Sequence, residues 1–148
     1  MSTKAIRIFL AVLALLLAGF ILLVTLTEKS DGAQELYDQL SFNVANRDIL
    51  YYDDSHGGFF GDGAAVAVFK ASTENSAVIK QSWRGNFADG QVLEILFGEG
   101  GVFQSRGFYL PENSLFYFKD FSSLHSLNFV FAVYNCESGE VYYCRFDT

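Results

Sequence analysis

The sequence predicts an α+β protein: one domain with an antiparallel sheet of about five strands and two to three short helices, preceded by a transmembrane helix. Residues 8–27 form a charge-free run of 20 residues. A helix of that length measures about 30 Å, the thickness of the hydrocarbon core of a bilayer. The remaining chain alternates helical spacing of apolar residues with β-branched and aromatic runs, in the order helix, two strands, two helices, three strands.

The segment 8–27 is predicted to be an uncleaved transmembrane anchor. A cleaved secretory signal is the main alternative, but the apolar part of a signal usually spans only about 7–15 residues and ends at an A-x-A-like site. The best available cut follows Gly32, with Ser30 at the −3 position and the charged Glu28 and Lys29 inside the stretch. A buried helix of a soluble core is the third interpretation.

The charges beside the apolar segment predict its orientation. Lys4 and Arg7 precede it, and an excess of basic residues on one side marks the cytoplasmic side. We therefore expect a single-pass protein of the plasma membrane. Its parts would be a cytoplasmic N-terminus (residues 1–7), the anchor (8–27) and an extracytoplasmic domain (28–148).

The predicted outer domain is acidic. Eight of the ten basic residues and all 17 acidic ones follow residue 27, which gives this part of the chain a net charge of −9. Such a domain repels phosphate backbones, so nucleic acid is not expected as a partner. A protein or peptide with a cationic surface fits the charge better. The membrane is the other expected partner, through residues 8–27.

Apolar spacing predicts three helices and five strands after residue 30. Helical spacing occurs in three segments: residues 31–40, 73–82 and 89–97. Strand-like runs occur in five segments: residues 46–54, 63–71, 114–121, 126–135 and 140–147. The segment 73–82 also fits the period of a strand, and we favour the helix. The helices are expected on one face of the sheet.

Cap residues support the second and third helices. Ser72 or Thr73 can accept a hydrogen bond from the first turn of the second helix, and Asp89 can do the same for the third. Gly98 follows the third helix and is expected to end it in a left-handed conformation.

The last two strands are predicted to form a hairpin with a two-residue turn at Ser138 and Gly139. In that register Cys136 lies opposite Val141. One face of the hairpin is then apolar throughout and should meet the core; its residues are Leu127, Phe129, Phe131, Val133, Tyr142, Cys144 and Phe146.

The same register predicts two free thiols. Cys136 and Cys144 would lie on opposite faces and about 10 Å apart along the strands. A disulfide requires Cα atoms within about 7 Å. Cys144 is expected to act as a small core hydrophobe.

The most unusual stretch is residues 53–63, DDSHGGFFGDG, with four Gly, three Asp and one His. One interpretation is a structural hairpin loop, in which Gly takes positive φ and Asp bonds to its own backbone. The other is a recognition loop. Its candidate binding residues are Asp53, Asp54, His56, Phe59, Phe60 and Asp62.

An enzyme or metal-dependent protein centred on His56 with nearby Asp residues is the alternative function. His56 begins an HGG run like the oxyanion loop of lipases, but no G-x-S-x-G nucleophile motif accompanies it. The Asp spacing does not match a calcium loop, and no second His or Cys lies near for zinc. Asp53 and Asp54 are adjacent in a strand, so they should point to opposite faces rather than form a catalytic pair. We therefore predict no catalytic residue, no metal ligand and no cofactor.

Several motifs occur in a fixed order: DSHGGFFGDG, then Trp83, a short helix ending in LFG, LPENSLFYFKD, and NFVFAVYNCESGEVYYCRFDT. In this the chain resembles a group of small membrane-anchored bacterial proteins with a D-x-HGGFHGDG loop, and the likeness covers most of residues 35–148. The members of the group have no assigned activity, so the resemblance implies an anchored domain and carries over no activity. Phe60 stands where the group has a second His, which weakens any metal or catalytic role for that position.

The predicted orientation can be tested by proteolysis. Protease added to intact cells stripped of their wall should digest the domain 28–148, because the positive-inside rule places it outside. Immunoblotting for a C-terminal tag measures the loss. Complete protection of the tagged domain would contradict the orientation.

Overall fold

The computed structural model describes residues 31–55, 63–124 and 126–148. Three α-helices lie in these ranges: α1 (Asp31–Leu40), α2 (Thr73–Ser82) and α3 (Gly90–Phe97). Five strands accompany them: β1 (Ile49–Asp54), β2 (Gly63–Lys70), β3 (Ser114–Asp120), β4 (Phe129–Asn135) and β5 (Glu140–Asp147). Two short 3-10 turns complete the fold, at Asn46–Asp48 and Gln104–Arg106. The α+β class and the predicted elements of the domain are confirmed.

The predicted transmembrane segment 8–27 lies outside the described residues. Among the helices that the structure describes, none is long and apolar enough to span a bilayer.

The five strands form one antiparallel sheet in the order β1-β2-β5-β4-β3. Strand β5 lies at the centre, between β2 and β4, while β1 and β3 are the outer strands. Ala64, Phe146, Phe129 and Asp120 pair across four neighbouring strands. The connections β1–β2 and β3–β4 therefore leave the sheet at the same end, which we call the loop end.

The helices cover both faces of the sheet, so the prediction that they cover one face is wrong. Leu36 of α1 and Ile79 of α2 pack on one face, which we call the α1–α2 face. Leu96 of α3 packs on the other, the α3 face. The reason lies in the inner strands, since β4 is buried at six consecutive positions and β2 likewise. A strand that is apolar on both faces must be covered on both.

The β4–β5 hairpin has a longer turn than predicted. Tyr134 lies opposite Val141, and the turn between the two strands consists of residues 136–139. The side chain of Asn135 accepts hydrogen bonds from the backbone N–H groups of Glu137 and Ser138, which stabilises this wider turn. The register differs from the prediction by two residues. An even shift leaves every side chain on its predicted face, and the apolar face of the hairpin does meet the core.

Both predicted helix caps are present. Ser72 accepts from the N–H of Asn75, and Asp89 accepts from the N–H groups of Gln91 and Val92. Gly98, however, is not left-handed: its φ is −67°. A Cβ there would lie 2.5 Å from the carbonyl oxygen of Glu94. Gly98 is thus required for close packing against the helix end.

Cys136 and Cys144 are free thiols, as predicted. Cys144 is fully buried on the α3 face, whereas Cys136 is half-buried in the turn against the α1–α2 face. The two sulfur-bearing side chains therefore belong to opposite sides of the sheet.

Reaction with a thiol reagent should separate the two cysteines. Burial raises the pKa of the Cys144 thiol to about 12, so in the folded protein at pH 8 only Cys136 should react, and the denatured protein should expose two thiols. Cys144→Ala should lower the free energy of unfolding by about 1 kcal/mol, similar to Ile→Val in a core. Cys136→Ala is the matched control and should change it by less than about 0.5 kcal/mol. Two reactive thiols in the folded state would contradict the burial of Cys144.

Candidate functional site

The Gly-rich loop 53–63 connects β1 to β2, and its two ends are joined by hydrogen bonds. The backbone N–H and the Oγ of Ser55 both donate to the carbonyl oxygen of Ala64, at 3.0 and 2.9 Å. The N–H of Ala64 donates back to the Ser55 Oγ at 3.0 Å. Three hydrogen bonds thus close the loop where it leaves the sheet.

Of the candidate binding residues, the structure describes Asp53 and Asp54. His56, Phe59, Phe60 and Asp62 lie outside the described residues, and their part in binding stays a prediction.

Asp53 forms an ion pair with Arg106. The Nε and Nη2 atoms of Arg106 donate to Oδ2 of Asp53, at 3.1 and 2.5 Å. The Nη1 atom of Arg106 donates to the carbonyl oxygen of Val102 at 2.8 Å, which fixes the guanidinium. The side chain of Arg106 is 22% exposed and that of Asp53 is 41% exposed. The Asp53 carboxylate is thus partly available to a ligand and already held by a cation.

Asp54 has a different environment from its neighbour. Its Oδ2 accepts a hydrogen bond from the hydroxyl of Tyr52 at 3.4 Å, and Tyr52 packs against the α1–α2 face. Asp53 instead contacts Arg106, and Tyr51, two residues earlier on the same strand, packs on the α3 face. The two carboxylates do not share one site.

A partly buried polar cluster, which the sequence did not predict, lies on the α1–α2 face beside the loop base, the point where Ser55 and Ala64 close the loop. Glu35 of α1 accepts hydrogen bonds from the Tyr143 hydroxyl at 2.5 Å and from Nη1 of Arg145 at 2.7 and 2.9 Å. Arg145 Nε also donates to Asp147 at 3.1 Å. The Glu35 side chain is only 13% exposed. We call Glu35, Tyr143, Arg145 and Asp147 the Glu35 cluster.

The phenols near this cluster are held in their protonated form. Burial, reinforced by the hydrogen bond to Glu35, raises the pKa of Tyr143 well above its usual value. Burial and the negative charges of Asp54 and Glu35 raise the pKa of Tyr52 to about 12. Both hydroxyls are therefore hydrogen-bond donors at neutral pH, rather than bases.

Close backbone packing attaches α1 to the same region. A Cβ on Gly32 would lie 2.9 Å from the ring of Tyr52, so only glycine lets the first turn of α1 approach β1 this closely. Together with the Glu35 cluster, this contact fixes α1 against the strands that carry the loop.

Two open cavities lie away from Asp53 and Asp54. One, of about 590 Å³, is bounded by residues 82–89 and by β3. The other, of about 350 Å³, is bounded by residues 109–113 and the β4–β5 turn. The loop base and the cavities are therefore separate surfaces of the domain.

Within the described ranges, no group of three or more His, Cys, Asp or Glu side chains is placed to hold a metal ion. Both histidines lie outside these ranges, so the hypothesis of a metal or catalytic site centred on His56 stays open.

Comparisons with protein families, with curated proteins and with solved structures found no match to this chain.

The Glu35 cluster predicts how stability depends on pH. A folded-state pKa above the unfolded value of about 10 means that Tyr143 contributes its full stability below pH 10 and loses it as pH rises further. Chemical denaturation of the native protein should therefore show a fall in the free energy of unfolding above pH 10.

The matched variant is Tyr143→Phe, which removes the hydroxyl alone. It should be less stable than the native protein at pH 7, by about 1.5–3 kcal/mol for a hydrogen bond to a charged group, and its decline above pH 10 should be shallower. Identical pH profiles for the two proteins would show that the hydroxyl is not held by Glu35.

Proposed function

We propose that this protein is a membrane-anchored binding module, with its α+β domain outside the cytoplasm and ligand contacts made by the Gly-rich loop 53–63. The observation that carries the proposal is the way the base of the loop is held. Three hydrogen bonds between Ser55 and Ala64 close it, and the Arg106–Asp53 ion pair holds it from the α3 face.

Support for the loop base comes from the opposite face as well. The Glu35 cluster and the contact between Gly32 and Tyr52 fix α1 beside β1 and β5. A loop with fixed ends loses less conformational entropy when it binds, so more of its contact energy appears as affinity.

The composition of the loop suits recognition. Phe59 and Phe60 are adjacent aromatics in a segment rich in Gly. Aromatic side chains are common anchors of protein interfaces, and Gly allows close approach of a partner's backbone. The net charge of −9 over residues 28–148 favours a partner with a cationic surface.

The chain offers a second means of recognition at the loop base. Asp53 is 41% exposed although it is bonded to Arg106. A cationic group of a partner can therefore reach the outer side of this carboxylate while the ion pair persists. Asp54 lies next to it and adds to the local negative potential.

The proposal is tested by capturing the partner. The full-length chain, tagged and expressed in its native cells, is chemically crosslinked, purified and analysed by mass spectrometry. The double variant Phe59→Ala with Phe60→Ala should lower the yield of the crosslinked partner by about ten-fold or more, as expected for the loss of two interface anchors. Its melting temperature should stay close to that of the native protein.

Tyr109→Ala is the matched control, since Tyr109 is an aromatic side chain that is 69% exposed and lies away from the loop end. It should leave capture unchanged. A large fall in the melting temperature of the double variant would assign the Phe pair to the core and contradict the proposal. If His56→Ala abolished activity while the Phe changes had no effect, the enzyme or metal hypothesis would replace it.

A further inference from the structure

Strand β3 is an outer strand of the sheet, and part of its free edge is already paired. The N–H of Phe116 donates to the carbonyl oxygen of Arg84 at 2.7 Å, and the N–H of Arg84 donates to that of Phe116 at 3.1 Å. The backbone groups of Phe116 thus point away from β4. Because this direction alternates along a strand, those of Phe118 and Asp120 point outward too.

The next outward-pointing backbone groups along β3 are those of Phe118 and Asp120. In the part of the chain that the structure describes, the backbone N–H and C=O groups of Phe118 and Asp120 have no hydrogen-bond partner. Open strand edges of this kind bind extended peptides by adding a strand to the sheet.

The segment that pairs with Phe116 crosses the edge of β3 near that residue. Residues 83–89 connect α2 to α3, which lie on opposite faces of the sheet, so this connector has to pass over the outer edge of β3. It pairs with β3 only at Arg84. A cavity of about 590 Å³ remains beside the crossing, with Phe116 and Phe118 in its wall.

The cavity has an available positive charge. Arg84 lines it, its side chain is exposed, and it has no acidic partner among the described residues. Asp89, which also lines the cavity, accepts from the first turn of α3, and Asp120 accepts from the N–H of Ser122, so neither carboxylate is paired with Arg84. An incoming acidic group would therefore meet a free guanidinium.

We propose that this edge of β3 binds an extended peptide segment of a partner protein, which pairs with Phe118 and Asp120 and places an acidic side chain beside Arg84. This surface is separate from the loop 53–63, and the inference does not depend on the function proposed for that loop.

The test uses the full-length chain in detergent and two synthetic peptides with amidated C-termini, each of about seven residues, the length of a short strand. Both alternate Thr and Val, and they differ only in a central Glu or Lys. In fluorescence polarisation the affinity of the Glu peptide should be higher than that of the Lys peptide by about ten-fold or more. Arg84→Gln should abolish this preference. The control variant Lys80→Gln removes an exposed cation on α2 and should retain the preference.

Backbone pairing is tested by Asp120→Pro, which removes an outward N–H. Proline is tolerated on an outer strand because that N–H makes no bond within the sheet. Asp120→Pro should weaken binding by about ten-fold or more, while the matched control Asp120→Ala, which keeps the N–H, should bind normally. If Asp120→Pro does not fold, a Glu peptide with N-methyl groups on alternate amides serves the same purpose and should fail to bind.

Three outcomes would overturn the proposal. The first is the absence of saturable binding by either peptide, and the second is equal binding of the Glu and Lys peptides. The third is a concentration-dependent dimer of the protein that Asp120→Pro abolishes, because a second copy of the chain would then be what pairs with β3.

Discussion

The organisation of this domain depends on a sheet whose inner strands are apolar on both faces. Strands β2 and β4 each have six consecutive buried positions, and the central strand β5 buries Val141 and Tyr143 on one side and Cys144 on the other. Neither face can be left in water at an acceptable free energy. The helices are therefore divided between the two faces, and a connector has to pass over the outer strand to link them.

Burial on both faces also determines where charge can be placed. The charged residues of the inner strands are found at or near the strand ends; they are Lys70, Glu140, Arg145 and Asp147. At the loop end, two ion pairs balance charges on opposite faces of the sheet. Glu35 and Arg145 neutralise each other on the α1–α2 face, and Asp53 and Arg106 do so on the α3 face. A carboxylate as enclosed as Glu35 would be costly without such a partner.

The features that follow from nearby residues could be predicted from the sequence. The caps at Ser72 and Asp89 act within three residues of their own position, and the alternation of the last two strands determines which face Cys144 occupies. The turn before β5 was mispredicted, because the preference of Ser-Gly for a short turn competes with the side-chain bonds of Asn135. Only the folded backbone decides between them.

The candidate site was less predictable, because its contacts join distant parts of the chain. Arg106 is 53 residues from Asp53, and Arg145 is 110 residues from Glu35. No spacing rule connects such pairs. One signal could have been noticed: Arg145 lies on the same face of β5 as the apolar Val141 and Tyr143, and a charged side chain in that position requires a partner.

The attachment of α1 has a mechanical consequence. Helix α1 contains the first described residues of the chain, and it is joined to the centre of the sheet by the bonds from Glu35 to Tyr143 and Arg145. A pulling force applied at Asp31 therefore loads β5, the most deeply embedded strand, rather than peeling the outer strand β1 away residue by residue. Tension on the N-terminal side of the domain is resisted by the three charge-assisted bonds that Glu35 accepts, and these have to break before α1 leaves the sheet.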